Sequence, residues 1–415
     1  VKRIAIVGSG ISGLTAGHLL HSQHQVTLFE KDARPGGHTA TVDVHLDGRD
    51  YAVDTGFIVF NDRTYPRFQK LLERVGLAGH PSQMSFSVRS PEGLEYNGQD
   101  LDTLFAQRAN LLRPRFWSLP LRDSAIQPPG AESPWPREGP DGQTLGEFLA
   151  QGGFSDFFAR HYILPMGAAI WSSTLADMRA IPAGFFLRFF ENHGLLHVTN
   201  RPQWFVIPGG SREYIAPLTA GWSDGIRTAC PVHQVNREPE GVRVKTEAGE
   251  EVFDEVILAC HSDQALALLG DATPQERQIL GDLPYQANEV LLHTDTSVLP
   301  RRRKAWASWN FLLDQDEAAR PLVTYQMNLL QGLEAPETFC VTLNPQGLVA
   351  EERILRRFVY HHPVFNQKSL TAQKERARIC GVNRTHFCGA YWYSGFHEDG
   401  VHSATDVAER FGCRL

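Results

Sequence analysis

Three glycines and one glutamate, by their spacing, carry the chemistry most open to reading in this chain. Gly8-Ser9-Gly10-Ile11-Ser12-Gly13 follows the apolar run Ile4–Val7 and precedes a segment patterned as a helix, Leu14 to Leu20. A second apolar run, Val26–Phe29, ends in Glu30, with Lys31 beside it. Gly8 permits a tight turn, Gly10 lets the backbone approach a pyrophosphate, and Gly13 lets the helix pack closely on the strand. The amides of Ile11 and Ser12 at the helix start then face the phosphates, and the helix dipole favours their charge. Glu30 stands where a carboxylate accepts hydrogen bonds from an adenosine ribose. Strand, glycine turn, helix, strand, acid is the order a dinucleotide site requires.

Further stretches extend this site. Arg34-Pro35-Gly36-Gly37-His38-Thr39 comes next, then Asp54-Thr55-Gly56-Phe57. Paired glycines allow close backbone approach, and Arg34 can offset phosphate charge. Far along the chain, the strand-like Asn383–Tyr391 contains Gly389. It leads through Gly395-Phe396-His397-Glu398-Asp399-Gly400 into a predicted helix, Val401 to Phe411. These stretches resemble the flavin amine oxidase, phytoene desaturase and protoporphyrinogen oxidase superfamily. That resemblance implies FAD, with the first loop beneath its phosphates and ribityl chain and the Asp-x-Gly turn near the flavin. It also implies that Val232 touches the adenine through its backbone and that Ala259 ends a strand facing the dinucleotide. The helix start at Gly400 and Val401 would lie by the flavin pyrimidine and the pyrophosphate, where a helix N-terminus stabilises negative charge on reduction. There is no second GxGxxG, so a single nucleotide cofactor is expected.

These residues need elements to hold them. Val42, Val44 and Leu46 alternate into Asp47-Gly48, and Tyr51 and Val53 alternate out, which reads as a hairpin. Tyr65 to Val75 has helical spacing closed by Gly76, and Gln83–Val88 with Leu94–Tyr96 reads as a second hairpin. Ile207-Pro208-Gly209-Gly210-Ser211 and the helix after it return the chain to the cofactor. Phe253–Ala259 follows as a strand, while Asn288–His293, Leu322–Asn328 and Thr338–Leu343 read as strands of a substrate-side sheet. Leu370–Arg378 is expected to be a helix. The fold class is α/β, α+β overall: a Rossmann-like, glutathione-reductase-type FAD domain with an interleaved substrate domain of mixed sheet plus helices. The expected boundaries are 1-75, 205-265 and 380-415 for the discontinuous FAD domain, and 76-204 and 266-379 for the substrate domain. Residues 119-142, with Pro120, Pro128, Pro129, Pro134, Pro136 and Pro140, form a Pro-rich loop.

Composition narrows the classes. With 415 residues, 42% hydrophobic and 21% charged, the chain has the make-up of an ordinary globular protein. A net charge of −7 gives no reason to expect nucleic acid. Arg301-Arg302-Arg303-Lys304 is the one dense basic run, a solvated loop or a contact for anionic headgroups. The chain opens directly into a strand and has no spanning apolar run. A cytoplasmic protein without leader or transmembrane segment is therefore expected, with peripheral contact at the inner membrane left open. The six cysteines show no metal-ligand spacing, so no metal is expected.

The run from His161 to Phe190, rich in Trp and Phe, reads as core or as the wall of an apolar pocket. Together with Asp-Thr-Gly-Phe-Ile-Val-Phe-Asn, Pro-Met-Gly-Ala-Ala-Ile-Trp-Ser and Gly-Phe-His-Glu-Asp-Gly, it makes the resemblance narrower. The chain is similar to a bacterial group of FAD-dependent oxidoreductases associated with cyclopropane-fatty-acid-synthase-like methyltransferases. This implies hydride transfer to or from an apolar or lipid substrate, an unsaturated or modified fatty-acyl chain, with a methyltransferase as candidate partner. Tyr391 and His397 are the candidate catalytic residues because they flank the C-terminal motif. Two alternatives stand beside it: a flavin amine oxidase acting on a small amine, and a non-catalytic flavin-binding partner of the methyltransferase. Amine oxidation in this superfamily is often helped by a lysine near the flavin, and the lysines here show no such context.

Overall fold

The computed structural model describes residues 1–117, 119, 142–195 and 201–415. Its first sheet is parallel and five-stranded, in the order Ile226–Arg227, Gln25–Phe29, Arg3–Val7, Glu255–Leu258, Thr385–Phe387. Arg3–Val7 is central, with Ile6 opposite Leu28 on one side and Ile257 on the other. Both of its faces are covered, which is why Ile4–Val7 is apolar throughout rather than alternating. The helix Ile11–Leu20 lies against the helix His397–Glu409, so the two ends of the chain meet beside the sheet. A three-stranded antiparallel sheet, Val232–Glu238, Gly241–Thr246 and Gly249–Phe253, adjoins it.

The second large sheet has seven strands, mostly antiparallel. Its order is Ile354–Pro363, Tyr285–His293, Cys340–Leu343, Leu322–Gln326, Trp309–Leu312, Phe86–Arg89, Glu95–Asn97. Helices Leu164–Trp171 and Ala183–Asn192 pack near its Trp309 end in a separate core that includes Phe158, Phe186 and Phe190, all fully buried. Pro165 is tolerated because it falls in the first turn of its helix, after a π-helical turn at Ala159–Ile163.

Several elements differ from their sequence patterns. The last helix starts at His397, not at Gly400–Val401, because the Asp399 carboxylate turns back to accept a hydrogen bond from the Phe396 amide (2.8 Å). The strand expected to reach Asn328 stops at Gln326, whose side chain accepts from the Leu329 amide (2.6 Å) and starts the helix Met327–Gln331. The helix expected from Leu370 begins at Gln367, capped by Asn366. Ile354–Pro363 forms a ten-residue strand where the sequence suggested none. The Pro-rich loop lies almost wholly outside the described residues. No helix among the described residues is long and apolar enough to cross a membrane.

Candidate functional site: a dinucleotide cradle closed by the C-terminal helix

The glycine turn is built by backbone necessity. A β-carbon at Gly13 would stand 1.9 Å from the Gly8 carbonyl oxygen, and Gly8 itself has φ +104° with the Ala259 carbonyl 2.8 Å from its missing side chain. Gly10 is different. Its φ of −61° suits any residue, and a β-carbon there would meet nothing within 4 Å. The fold therefore leaves open space at Gly10, directly at the start of Ile11–Leu20, a helix no side chain caps. Such a start offers unpaired amides to an anion.

Glu30 is buried and already oriented. It accepts hydrogen bonds from the Ser9 amide (2.9 Å), the Ser9 hydroxyl and the Asp32 amide (2.8 Å). The Ser9 carbonyl and hydroxyl in turn accept from the Gly36 amide, at 3.0 and 3.1 Å, so one serine joins turn, acid and second loop. Sequence reasoning passed over Ser9, although it lies inside the glycine motif. Lys31 is exposed, and Arg34 donates to the carbonyls of Thr39 (2.9 Å) and Gly37 (3.2 Å), bracing the loop from outside.

Asp54–Phe57 runs beside this loop. The Thr55 amide donates to the Ala40 carbonyl and the Phe57 amide to the His38 carbonyl. A β-carbon at Gly56 would fall 2.1 Å from the His38 carbonyl oxygen. Asp54 is fully buried and anchors the Pro208–Ser211 turn: it accepts from the Ser211 amide (2.9 Å), the Ser211 hydroxyl (2.8 Å) and Thr41 (2.6 Å). Burial nonetheless pushes its carboxyl up to about 6, against the pull of these donors.

The C-terminal segment closes the cradle. Gly400 packs against Ile11, and its carbonyl accepts from the Ser12 hydroxyl (3.0 Å); Val401 is buried behind it. His397 stacks on Phe57 with ring centroids 3.7 Å apart, and its Nε2 meets the Tyr214 hydroxyl at 2.9 Å. That hydroxyl also pairs with Thr39. Burial holds the His397 imidazole well below its ordinary value, so it is neutral. The Tyr391 ring packs against Gly389, where a β-carbon would come within 2.3 Å of it; the residue is fully buried, and its hydroxyl has no hydrogen-bond partner. Val232 stands at the start of its strand, half-buried, and the Ala259 amide donates to Val7 (2.9 Å).

One cluster was missed. His38 lies 5.1 Å from Tyr360, 5.6 Å from His362 and 6.2 Å from His261, and His261 lies 6.0 Å from His361. Three segments meet here: the Arg34–Thr39 loop, the end of the parallel sheet, and the strand Ile354–Pro363. Burial and mutual repulsion lower His38 to about 4 and His261 and His362 to about 3. The buried His38 Nε2 and His261 Nδ1 have no partners. The adjacent His361-His362 pair was the one available signal. Among the described residues, no group of His, Cys, Asp and Glu is placed to hold a metal.

An open cradle at Gly10, an oriented buried carboxylate and unpartnered polar atoms beside it fit a dinucleotide group. The fold and site define an FAD-binding flavoprotein. The chain belongs to the flavin containing amine oxidoreductase family, whose profile matches residues 11–321. It is an FAD-dependent oxidoreductase. Among solved structures it is similar to a CLA-producing fatty acid isomerase from P. acnes (16% identity, TM-score 0.72, 99% of this chain and 98% of that one). It is also similar to cyclohexylamine oxidase from Brevibacterium oxydans (14% identity, TM-score 0.67, 99% of both chains). A putrescine oxidase matches with 15% identity and a TM-score of 0.67 over 99% and 98%. At such identities these likenesses show the fold alone. Over 36 residues the chain is 61% identical to flavin-containing monooxygenase ustF2 of Aspergillus flavus, a match covering 8% of this chain and 7% of that protein.

Proposed function

We propose that this oxidoreductase transfers a hydride to or from an apolar substrate, an unsaturated or modified fatty-acyl chain. The observation that carries the reading is the aromatic wall joined to the C-terminal motif. Trp171 donates to the Ser394 carbonyl (3.2 Å), Phe189 stacks on Phe396 at 5.0 Å, and Phe185 stacks on Phe365 at 5.3 Å. Phe396 stands next to His397, and Phe189, Trp171, Phe185 and Phe365 pack around it, so this side of the motif is walled by apolar rings suited to a chain without charges. Lys2, Lys31, Lys70, Lys245, Lys304, Lys368 and Lys374 are all exposed, which leaves the amine-oxidase reading without a buried lysine. The fatty acid isomerase of the same fold lends the lipid reading a precedent.

In this reading Ile11 and Ser12 hold the pyrophosphate, Glu30 the ribose, and the backbone of Val232 the adenine. Gly36 to Thr39, Thr55 to Phe57 and Gly389 flank the flavin, with Gly400 and Val401 behind the phosphates. When bound, the isoalloxazine accepts or returns the hydride. The protein positions the substrate carbon and excludes water. Tyr391, whose raised pKa keeps its hydroxyl protonated, donates a hydrogen bond to what binds there. His397, already engaged by Tyr214, acts as a positioning residue.

Anaerobic titration of the purified, FAD-loaded chain tests this. Bleaching of the flavin by a fatty-acyl lipid is expected; bleaching by small amines alone would overturn it. A flavin that no donor reduces, in a chain that co-purifies with a methyltransferase, would support the non-catalytic reading instead. Gly10→Val should fold normally, since the space is open, yet emerge colourless.

A further inference from the structure

The seven-stranded sheet has two unlike edges. Ile354–Pro363, at one edge, carries Tyr360 and His362 beside His38. At the far edge, next to Phe86–Arg89 and Glu95–Asn97, lies a cavity of about 430 Å³ lined by Arg89, Arg301, Arg302, Arg320, Glu95 and Leu348, among others. The flavin chemistry makes no use of this second place.

The cavity is built, not a chance cleft between side chains. Glu95 is buried and accepts from the amides of Arg301 (2.8 Å) and Arg302 (3.2 Å) and from the Arg302 guanidinium (3.2 Å). This one carboxylate fixes the course of the basic run while neutralising only part of it. Arg89 donates to the carbonyls of Ser297 and Leu299, each at 3.1 Å, and stands 3.9 Å from the same Glu95 carboxylate, which thus serves two arginines of the wall. Among the described residues, nothing pairs with the Arg301 guanidinium. Four arginines line the cavity against the two carboxylates of Glu95 and Asp314, a local reversal of sign in a chain of net charge −7.

An exposed apolar surface is fastened to the same rim. The Gln107 side chain bonds to the Gly93 carbonyl (3.0 Å) and the Glu95 amide (3.2 Å), and Asn110 donates to the Glu95 carbonyl (3.4 Å). Asp102 pairs with both Arg108 (2.7 Å) and Lys304. Held this way, the segment presents Leu101, Leu111, Leu112 and Trp117 to solvent at 70, 45, 88 and 37% exposure. Large apolar side chains left this exposed, in a segment that also carries Arg108, Arg113 and Arg115 and is tied through Asp102 to Lys304, mark an interaction surface rather than a solvated loop. Apolar side chains that enter the acyl boundary while cations meet anionic headgroups are the two signals peripheral membrane binding needs.

We propose that this far edge docks the enzyme on a bilayer containing anionic lipid. A headgroup phosphate sits in the arginine cavity, and Leu101, Leu111 and Leu112 enter the interface. The cofactor then faces away from the membrane across the width of the sheet.

The test is co-sedimentation of the FAD-loaded chain with phosphatidylcholine vesicles, with and without phosphatidylglycerol. Binding is expected to the anionic vesicles alone and to fall as salt rises. Arg301→Glu, which breaks no internal pair, should lower the partition coefficient about tenfold or more. Leu112→Ser should weaken binding while leaving its salt dependence in place. Both variants should keep the wild-type flavin spectrum and thermal midpoint, which separates lost docking from lost fold. Equal binding to neutral and anionic vesicles, no binding to either, or wild-type binding by Arg301→Glu would overturn the proposal. Inorganic phosphate separates the two sources of the same chemistry. If it raises the thermal midpoint while vesicles do not bind, the cavity serves free phosphate and the bilayer reading fails.

Discussion

The parallel sheet and the seven-stranded sheet lie in one chain but are specified by different means. Around the parallel sheet, single backbone positions decide the outcome. Gly13 has 1.9 Å to a carbonyl where a side chain would begin, and Gly56 has 2.1 Å. Around the other sheet, the packing is carried by many interchangeable apolar side chains, such as Phe158, Phe186 and Phe190 in one cluster. Backbone positions with no room give a site its fixed geometry. A core of generic shape can change to suit a substrate without disturbing that geometry.

The sharpest contrast comes from one methyl group. Gly13→Ala should cost more than about 4 kcal/mol, because carbonyl and helix cannot both move aside, and yield little folded or yellow protein. Soluble, FAD-loaded Gly13→Ala would erase the distinction between the two regions. On the other side, Phe186 stacks on Phe190 at 4.0 Å and lies against Gly167. Phe186→Ala should cost about 3–5 kcal/mol as a core cavity yet retain FAD below its lowered melting point. Loss of flavin from that variant while it remains folded would show the regions to be one energetic unit. Glu30→Ala comes next. It removes the proposed ribose acceptor and leaves two Ser9 donors unpaired, so FAD affinity should fall about 10–100-fold. An unchanged dissociation constant would remove Glu30 from the cofactor site.

The same contrast explains what could be read in advance. The glycine turn and the two hairpins were legible because tight turns and alternation are local requirements, written in neighbouring residues. The strand Ile354–Pro363 was not. It pairs with Tyr285–His293 far away in sequence, and Arg356, Arg357 and Val359 are exposed, so no simple apolar alternation marks it. Asp54 was legible as part of a motif, but its partner Ser211 comes from a distant turn, so its anchoring function was hidden. Arg34 shows the same limit, since its type suggested phosphate and its geometry gives it two carbonyls. The last helix was misplaced by one turn because the cap, Asp399, reaches backward to Phe396 rather than standing before the helix.

The smallest expected effect lies at the seam where the two regions meet. His38, His261 and His362 are held at about 4, 3 and 3, with His361, Arg34 and Lys31 adding to burial. A base whose folded pKa is lowered binds its proton in the unfolded chain first. Its contribution is therefore complete above about pH 6.5 and is lost as pH falls toward the folded value. Asp54 and Asp399 act oppositely, since burial raises them to about 6 and 7 and the folded state holds their protons. In the wild type the two sets partly cancel, so a single melting curve against pH is uninformative. The difference between wild type and His362→Gln isolates the seam, because the variant leaves both carboxyls in place. Relative to wild type, it should gain on the order of 1 kcal/mol between pH 7 and pH 5. FAD fluorescence followed over the same range should show the variant releasing its cofactor at lower pH than the wild type. Parallel stability curves for the two proteins would place the protons elsewhere and leave the seam a matter of packing alone.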